Sequence, residues 1–142
     1  MLKKIKYLLP ALLLVSTLTA CSSDASDSSA SASCTPADLK TVAANELTIA
    51  TGEPAYPPWV LDDKPEAGKG FEAAVAYAVA KQLGYTNDQV KWVRTTFDGA
   101  IAPGPKNFDF NIQQYSITDE RAQVVDFSSA YYKSNQAIVS FK

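Results

Sequence analysis

Residues 111 to 121, NIQQYSITDER, put a guanidinium where a negative charge is normally favoured. Ser116 and Thr118 are both helix-capping types, and the helix they open, expected from about Asp119 to Gln123, carries Arg121 in its first turn. The free N–H groups and the dipole of a first turn create positive potential, which suits Asp119 and Glu120 and opposes Arg121. Two uses fit such an arginine. One is a solvated side chain paired loosely with Glu120, Asp119 or Asp126, an arrangement worth little in water. The other is a cation placed to meet an anion at the helix end.

The remaining inventory narrows the chemistry. The sequence contains no histidine, which excludes Ser-His-Asp and Cys-His nucleophiles and histidine metal sites within it. Carboxylate, lysine or tyrosine chemistry would remain for an enzyme. Among the acids, Asp98, Asp109, Glu120 and Asp126 are the ones to weigh, and no two of them stand out as a catalytic pair. Asp109 is expected to satisfy loop backbone, and Asp126 to end a helix–strand joint. No metal or cofactor is called for. Reversible binding is the expectation.

The elements that must position these residues follow from local pattern. Thr35-Pro36 reads as a cap and first helical position, opening a short helix to about Ala44. LTIAT, 47 to 51, is a β-rich run ending at Gly52. EPAYPPWV follows, and its three prolines exclude helix and central strand, leaving a rigid extended loop. In GKGFEAAVAYAVAKQLGY, Phe71, Val75, Val79 and Leu83 recur every fourth residue, and Gly84 supplies a left-handed stop. VKWV, 90 to 93, is a second strand; TTFDGAIAPGPKN then holds at most one or two helical turns before Pro103-Gly104-Pro105. FDFNIQ, 108 to 113, is a third strand, VVDFSS a strand fragment or turn, and QAIVSF, 136 to 141, a last strand. This alternation predicts an α/β fold with a largely parallel open sheet and helices on both faces. Ligands of such sheets sit beyond the carboxyl ends of the strands, where EPAYPPW, TTFDG and QQYSITDER all fall.

The amino terminus gives an address. Lys3, Lys4 and Lys6 precede an apolar run from Tyr7 to Leu18, too short to span a bilayer comfortably and laid out like a secretory signal. It ends in Leu18-Thr19-Ala20-Cys21, which resembles the lipobox of bacterial lipoproteins, so residues 1–20 are read as a signal peptide and Cys21 as the lipidated residue. SSDASDSSASAS follows as a flexible tether, 21–33, because nothing in it larger than alanine is apolar. The folded body is then 34–142, enough for one core. Three of the 13 cationic residues belong to the leader, so ten remain against 15 acidic ones and no basic cluster is left for nucleic acid. With Cys21 acylated, Cys34 is a leftover thiol in an exported chain, which suggests a partner elsewhere or a free reactive group.

LTIATGEPAYPPW, GFEAAVAYAVAKQLG, FDF…YSITDER and VVDFSSAYY, in this order and spacing, resemble the extracellular solute-binding proteins of polar amino-acid ABC transporters, a type II periplasmic-binding fold. The resemblance runs from about Leu47 to Phe141. It implies that Arg121 clamps a ligand α-carboxylate, for which a guanidinium offers a matching planar fork of donors. It implies that Ser116 meets the same carboxylate, that Tyr56 packs over the ligand, and that Phe97 faces it across the pocket. Thr118 is left as a cap and Trp59 as a structural residue at the mouth. Glu53 stands where some relatives carry an acid that meets a ligand side chain. Gln113 and Gln114 replace small residues that help hold the α-amine, which changes the pocket's shape or hydrogen bonding. The matched region corresponds to the first of two lobes, so the chain is expected to be a fragment ending near the first crossover, unable to close on ligand, with any partner of Cys34 in the missing part. The implied function is solute capture for an ABC importer by an exported monomer, lipid-anchored at the outer face of the cell membrane and delivering to a membrane permease. A ligand-sensing envelope lipoprotein and a dehydratase-like enzyme on the same fold are the alternatives.

Overall fold

The computed structural model describes residues 35–141. The leader, the tether, Cys21 and Cys34 lie outside the described residues. Three strands, β1 (Leu47–Gly52), β2 (Val90–Thr95) and β3 (Phe110–Asn111), form a parallel sheet in the order β2-β1-β3. Leu47 lies opposite Val90 and Gly52 opposite Thr95, while Ile49 and Ala50 face Phe110 and Asn111. All six residues of β1 are buried, as a parallel strand between two others requires. The third strand is shorter than 108–113, yet its bonding continues past the paired residues: Asp109 N–H donates to Thr48 O at 2.8 Å and Ile112 N–H to Ala50 O at 2.9 Å. The α/β architecture read from the alternation of elements is the one observed.

Helix α1 (Phe71–Gln82) crosses from β1 to β2, and Gly84 beyond it takes φ 86°, the left-handed stop expected there. Its buried face differs from the predicted one. Ala73, Ala76 and Ala80 are fully covered together with Glu72, whereas Phe71 and Val79 are each 39 % exposed and Val75 and Leu83 flank the core. Four larger side chains at helical spacing suggested the stripe, but the alanines bring the helix closer to the sheet, and the core closes over Leu47, Ile49, Tyr85, Val90 and Ile112.

Other expectations are corrected. Residues 35–44 form turns, not a helix, because their polar groups have other partners: Thr41 Oγ1 donates to Ala43 O at 2.8 Å and Val42 N–H to Asp109 Oδ1 at 2.7 Å. Asp109 also accepts Thr48 N–H at 2.7 Å, so it satisfies loop backbone as anticipated. The helix at 119–123 is a single 3₁₀ turn, Arg121–Gln123. VVDFSS is irregular, and 136–141 is no strand; Ile138, Val139 and Phe141 stand in solvent, with no neighbouring strand among the described residues to pair with.

Candidate functional site

Each strand end delivers one wall of a cleft. After β1 the chain enters the proline loop, with cis peptides at Glu53-Pro54 and Pro57-Pro58. Arg94, near the end of β2, ties that loop down: its Nη1 donates to Gly52 O and pairs with Asp63 Oδ1, both at 2.7 Å, and its Nη2 donates to Asp63 O. Asp63 Oδ1 also accepts Ala55 N–H at 2.8 Å. That backbone hydrogen bond, aided by the Arg94 guanidinium, holds the Asp63 carboxyl below its ordinary value. After β2, Thr96 caps α2 (Phe97–Ile101) by accepting Gly99 N–H at 3.1 Å, and Ala102 already leaves the helix just before Pro103.

The three loops meet in a cleft of about 350 Å³ lined by Glu53, Tyr56, Thr96, Phe97, Gln113 and Gln114 over a floor of Thr51 and Gly52. Thus Glu53, Tyr56, Phe97 and Gln113, singled out separately from the sequence, share one concavity. Gln113 lies against the floor; a Cβ added at Gly52 would come within 2.9 Å of its Nε2. Tyr56 is 63 % exposed, a ring poised over the opening rather than packed in the core.

Arg121 stands at the rim, not among the lining residues. Its guanidinium carbon is 5.2 Å from the centre of the Phe97 ring and 5.7 Å from that of Tyr115. The two rings lie 4.1 Å apart, and Tyr115 donates its hydroxyl proton to Phe97 O. Burial pushes the Tyr115 phenol up to about 12, the Arg121 charge pulling the other way and that of Asp98 adding to the rise, so the hydroxyl remains a donor at neutral pH. Arg121 Nη1 donates to Ser116 O at 3.0 Å, and Thr118 Oγ1 accepts Arg121 N–H at 3.3 Å, the capping role expected of Thr118. Ser116 itself is exposed and reaches Arg121 through its carbonyl. A three-residue turn cannot supply the row of N–H groups expected of a helix end, so the positive potential here comes chiefly from the guanidinium. Trp59 packs edge-on against Tyr132 at 5.0 Å and Phe71 at 5.9 Å, a structural setting.

Two residues escaped the sequence reading. Arg94 sits in a strand and shows its use only once Asp63 folds back beside it. Glu72 is fully buried at the second position of α1, accepting Gln114 N–H at 2.8 Å together with the Gln114 side-chain amide and the Tyr131 hydroxyl. An acid in a first turn reads as solvated dipole compensation; its signal was its alignment with Ala76 and Ala80 on one helical stripe. A second hollow, bordered by Glu66, Tyr77, Asn87 and Asp88, contains none of the candidate residues. Among the described residues no group of three or more acidic, cysteine or histidine side chains could hold a metal ion.

A family model of bacterial extracellular solute-binding proteins, family 3, matches residues 47–142. An L-arginine-binding protein of Pseudomonas aeruginosa is 34 % identical over 97 residues, covering 68 % of this chain and 36 % of that protein. A probable histidine-binding protein of Campylobacter jejuni is 34 % identical over 99 residues, with 68 % and 37 % covered. The L-cystine-binding protein TcyJ of Escherichia coli is 36 % identical over 89 residues, with 61 % and 32 % covered. The chain therefore spans about a third of the length of these curated relatives. No solved structure gives a significant match.

Proposed function

Because the chain belongs to the bacterial extracellular solute-binding proteins of family 3, we propose that it captures a polar amino acid for an ABC importer, reversibly and without covalent chemistry. Arg121, with Ser116, receives the ligand carboxylate at the rim. Tyr56 and Phe97 cover its carbon skeleton, and Gln113 provides amide contacts on the floor. Glu53 places a carboxylate in the same cleft, and two of the relatives cited are named for arginine and histidine, so a cationic side chain is the favoured ligand group. A single observation carries the reading: three loops distant in sequence converge on one cleft whose aromatic wall, Phe97, is stacked against a guanidinium.

An open cleft that touches ligand from one side binds weakly, roughly at millimolar Kd or about −4 kcal/mol. Titration of the isotope-labelled chain with L-arginine, L-histidine and L-cystine, followed by NMR, is the test. Saturable shifts at Gln113, Tyr115 and Arg121 are expected with L-arginine; their absence with all three ligands refutes amino-acid capture by this cleft, and micromolar affinity refutes its weakness. Export with lipid on Cys21 is part of the same proposal, anchoring the chain beside its permease. Mass spectrometry of the membrane-extracted protein is expected to show a processed, acylated Cys21; an unmodified thiol there refutes the anchor.

A further inference from the structure

We propose that Glu72 is a positioning residue, one buried carboxylate that holds both ends of the segment carrying Arg121. Its solvent exposure is 0 %, and among the described residues no cation pairs with it. Its acceptors are instead taken by donors from two places far apart in sequence. Gln114, at the exit of β3, donates both its backbone N–H, at 2.8 Å, and its side-chain amide; Tyr131 donates its hydroxyl. Between these anchors run Tyr115, Ser116 and Arg121.

The near anchor sets a turn. Gln114 has φ 53°, a left-handed conformation that a residue with a side chain adopts only when its surroundings hold it there. Both of its donors end on Glu72, so the turn is fixed from α1. Its consequence is local and functional: Gln113, just before it, lies on the cleft floor beside Gly52, and Tyr115, just after it, lies against Phe97 under the guanidinium. The far anchor is braced by rings, with Tyr131 stacked on Phe71 at 6.2 Å and Tyr132 edge-on to Trp59. Burial, and then the hydrogen bond to Glu72, raise the Tyr131 pKa, which keeps its hydroxyl a donor. A carboxylate is suited to this place because it only accepts, and all three groups aimed at it only need to give.

The clamp stands on this geometry, while its purpose, holding Arg121 at the rim, rests on the proposed solute site. Hydrogen exchange on the full chain tests it. In Glu72→Ala, the hydrogen-bonded amides of the segment, Gln114 and 121–125, are expected to exchange about tenfold faster or more, with β1 and β2 unchanged, and the L-arginine shifts of the wild type to vanish. Glu72→Met fills the same space without acceptors; it should behave as the alanine variant, and wild-type exchange in it would show simple packing and overturn the proposal. Glu72→Gln keeps one acceptor for the Gln114 N–H and Tyr131, and the Gln114 amide can turn its oxygen to the new NH₂, so near-complete rescue of exchange and binding is expected. Unchanged exchange of these amides in Glu72→Ala overturns the clamp. Should that variant not fold, Tyr131→Phe removes one donor alone: lower backbone order around residue 131, read by NMR relaxation, supports the far anchor, and unchanged order refutes it. A wild-type chain that ignores L-arginine sinks the solute reading, but the exchange results still decide the clamp.

Discussion

Replacing Arg121 by alanine isolates the group on which recognition depends. A hydrogen bond to a charged partner contributes about 1.5–3 kcal/mol. Arg121 is half-buried and one of its nitrogens already serves Ser116 O, so its coupling to a ligand carboxylate belongs at the lower end, about 1.5–2 kcal/mol. That corresponds to roughly 10- to 30-fold in affinity. Loss of the contact with Phe97 should cost the unliganded fold only about 0.5–1 kcal/mol, leaving the variant folded. The assay is an NMR titration of wild type and variant with L-arginine and with agmatine, the same molecule without its carboxylate. These four affinities close a cycle that reports the guanidinium–carboxylate term alone. L-Arginine should weaken about 10- to 30-fold on mutation while agmatine changes by no more than about twofold. Equal losses for both ligands would mean that Arg121 merely shapes the cleft. No loss for either would remove it from the site.

Three further outcomes are expected. Ile49→Ala, at a fully buried position in the central strand, should cost about 3–4 kcal/mol, read as a lower urea midpoint at unchanged m. The Asp63 carboxyl is held below its ordinary 3.8, so its contribution is complete above that pH and disappears as pH falls through the lowered value; the stability gap between wild type and Asp63→Asn should be open at pH 7 and narrow as pH falls below 3.8. A gap that widens in acid would contradict the Ala55 and Arg94 contacts. Tyr56→Ala should change stability by less than about 0.5 kcal/mol, since the ring is mostly exposed, yet weaken L-arginine measurably; unaltered binding would take Tyr56 out of the ligand's path.

Local chemistry alone settled much of this molecule. The β-branched run at 47–51, the prolines of 54–58, the span of α1 and its stop at Gly84 were all legible, because each depends on neighbours in sequence. The order of strands and helices likewise implied a parallel sheet, and with it a binding edge at the carboxyl ends of the strands. Tertiary contact decided the rest. Which face of α1 is buried turned on how closely alanines approach the sheet, not on where the largest side chains recur. Residues 136–141 have a strand's composition and no strand to pair with among the described residues, and a ladder needs two partners. Glu72 and Arg94 looked like ordinary surface charges until Gln114, Tyr131 and Asp63 came to them from 31 to 59 residues away. A side chain's type states what it can bond, and only the folded chain determines what comes within reach.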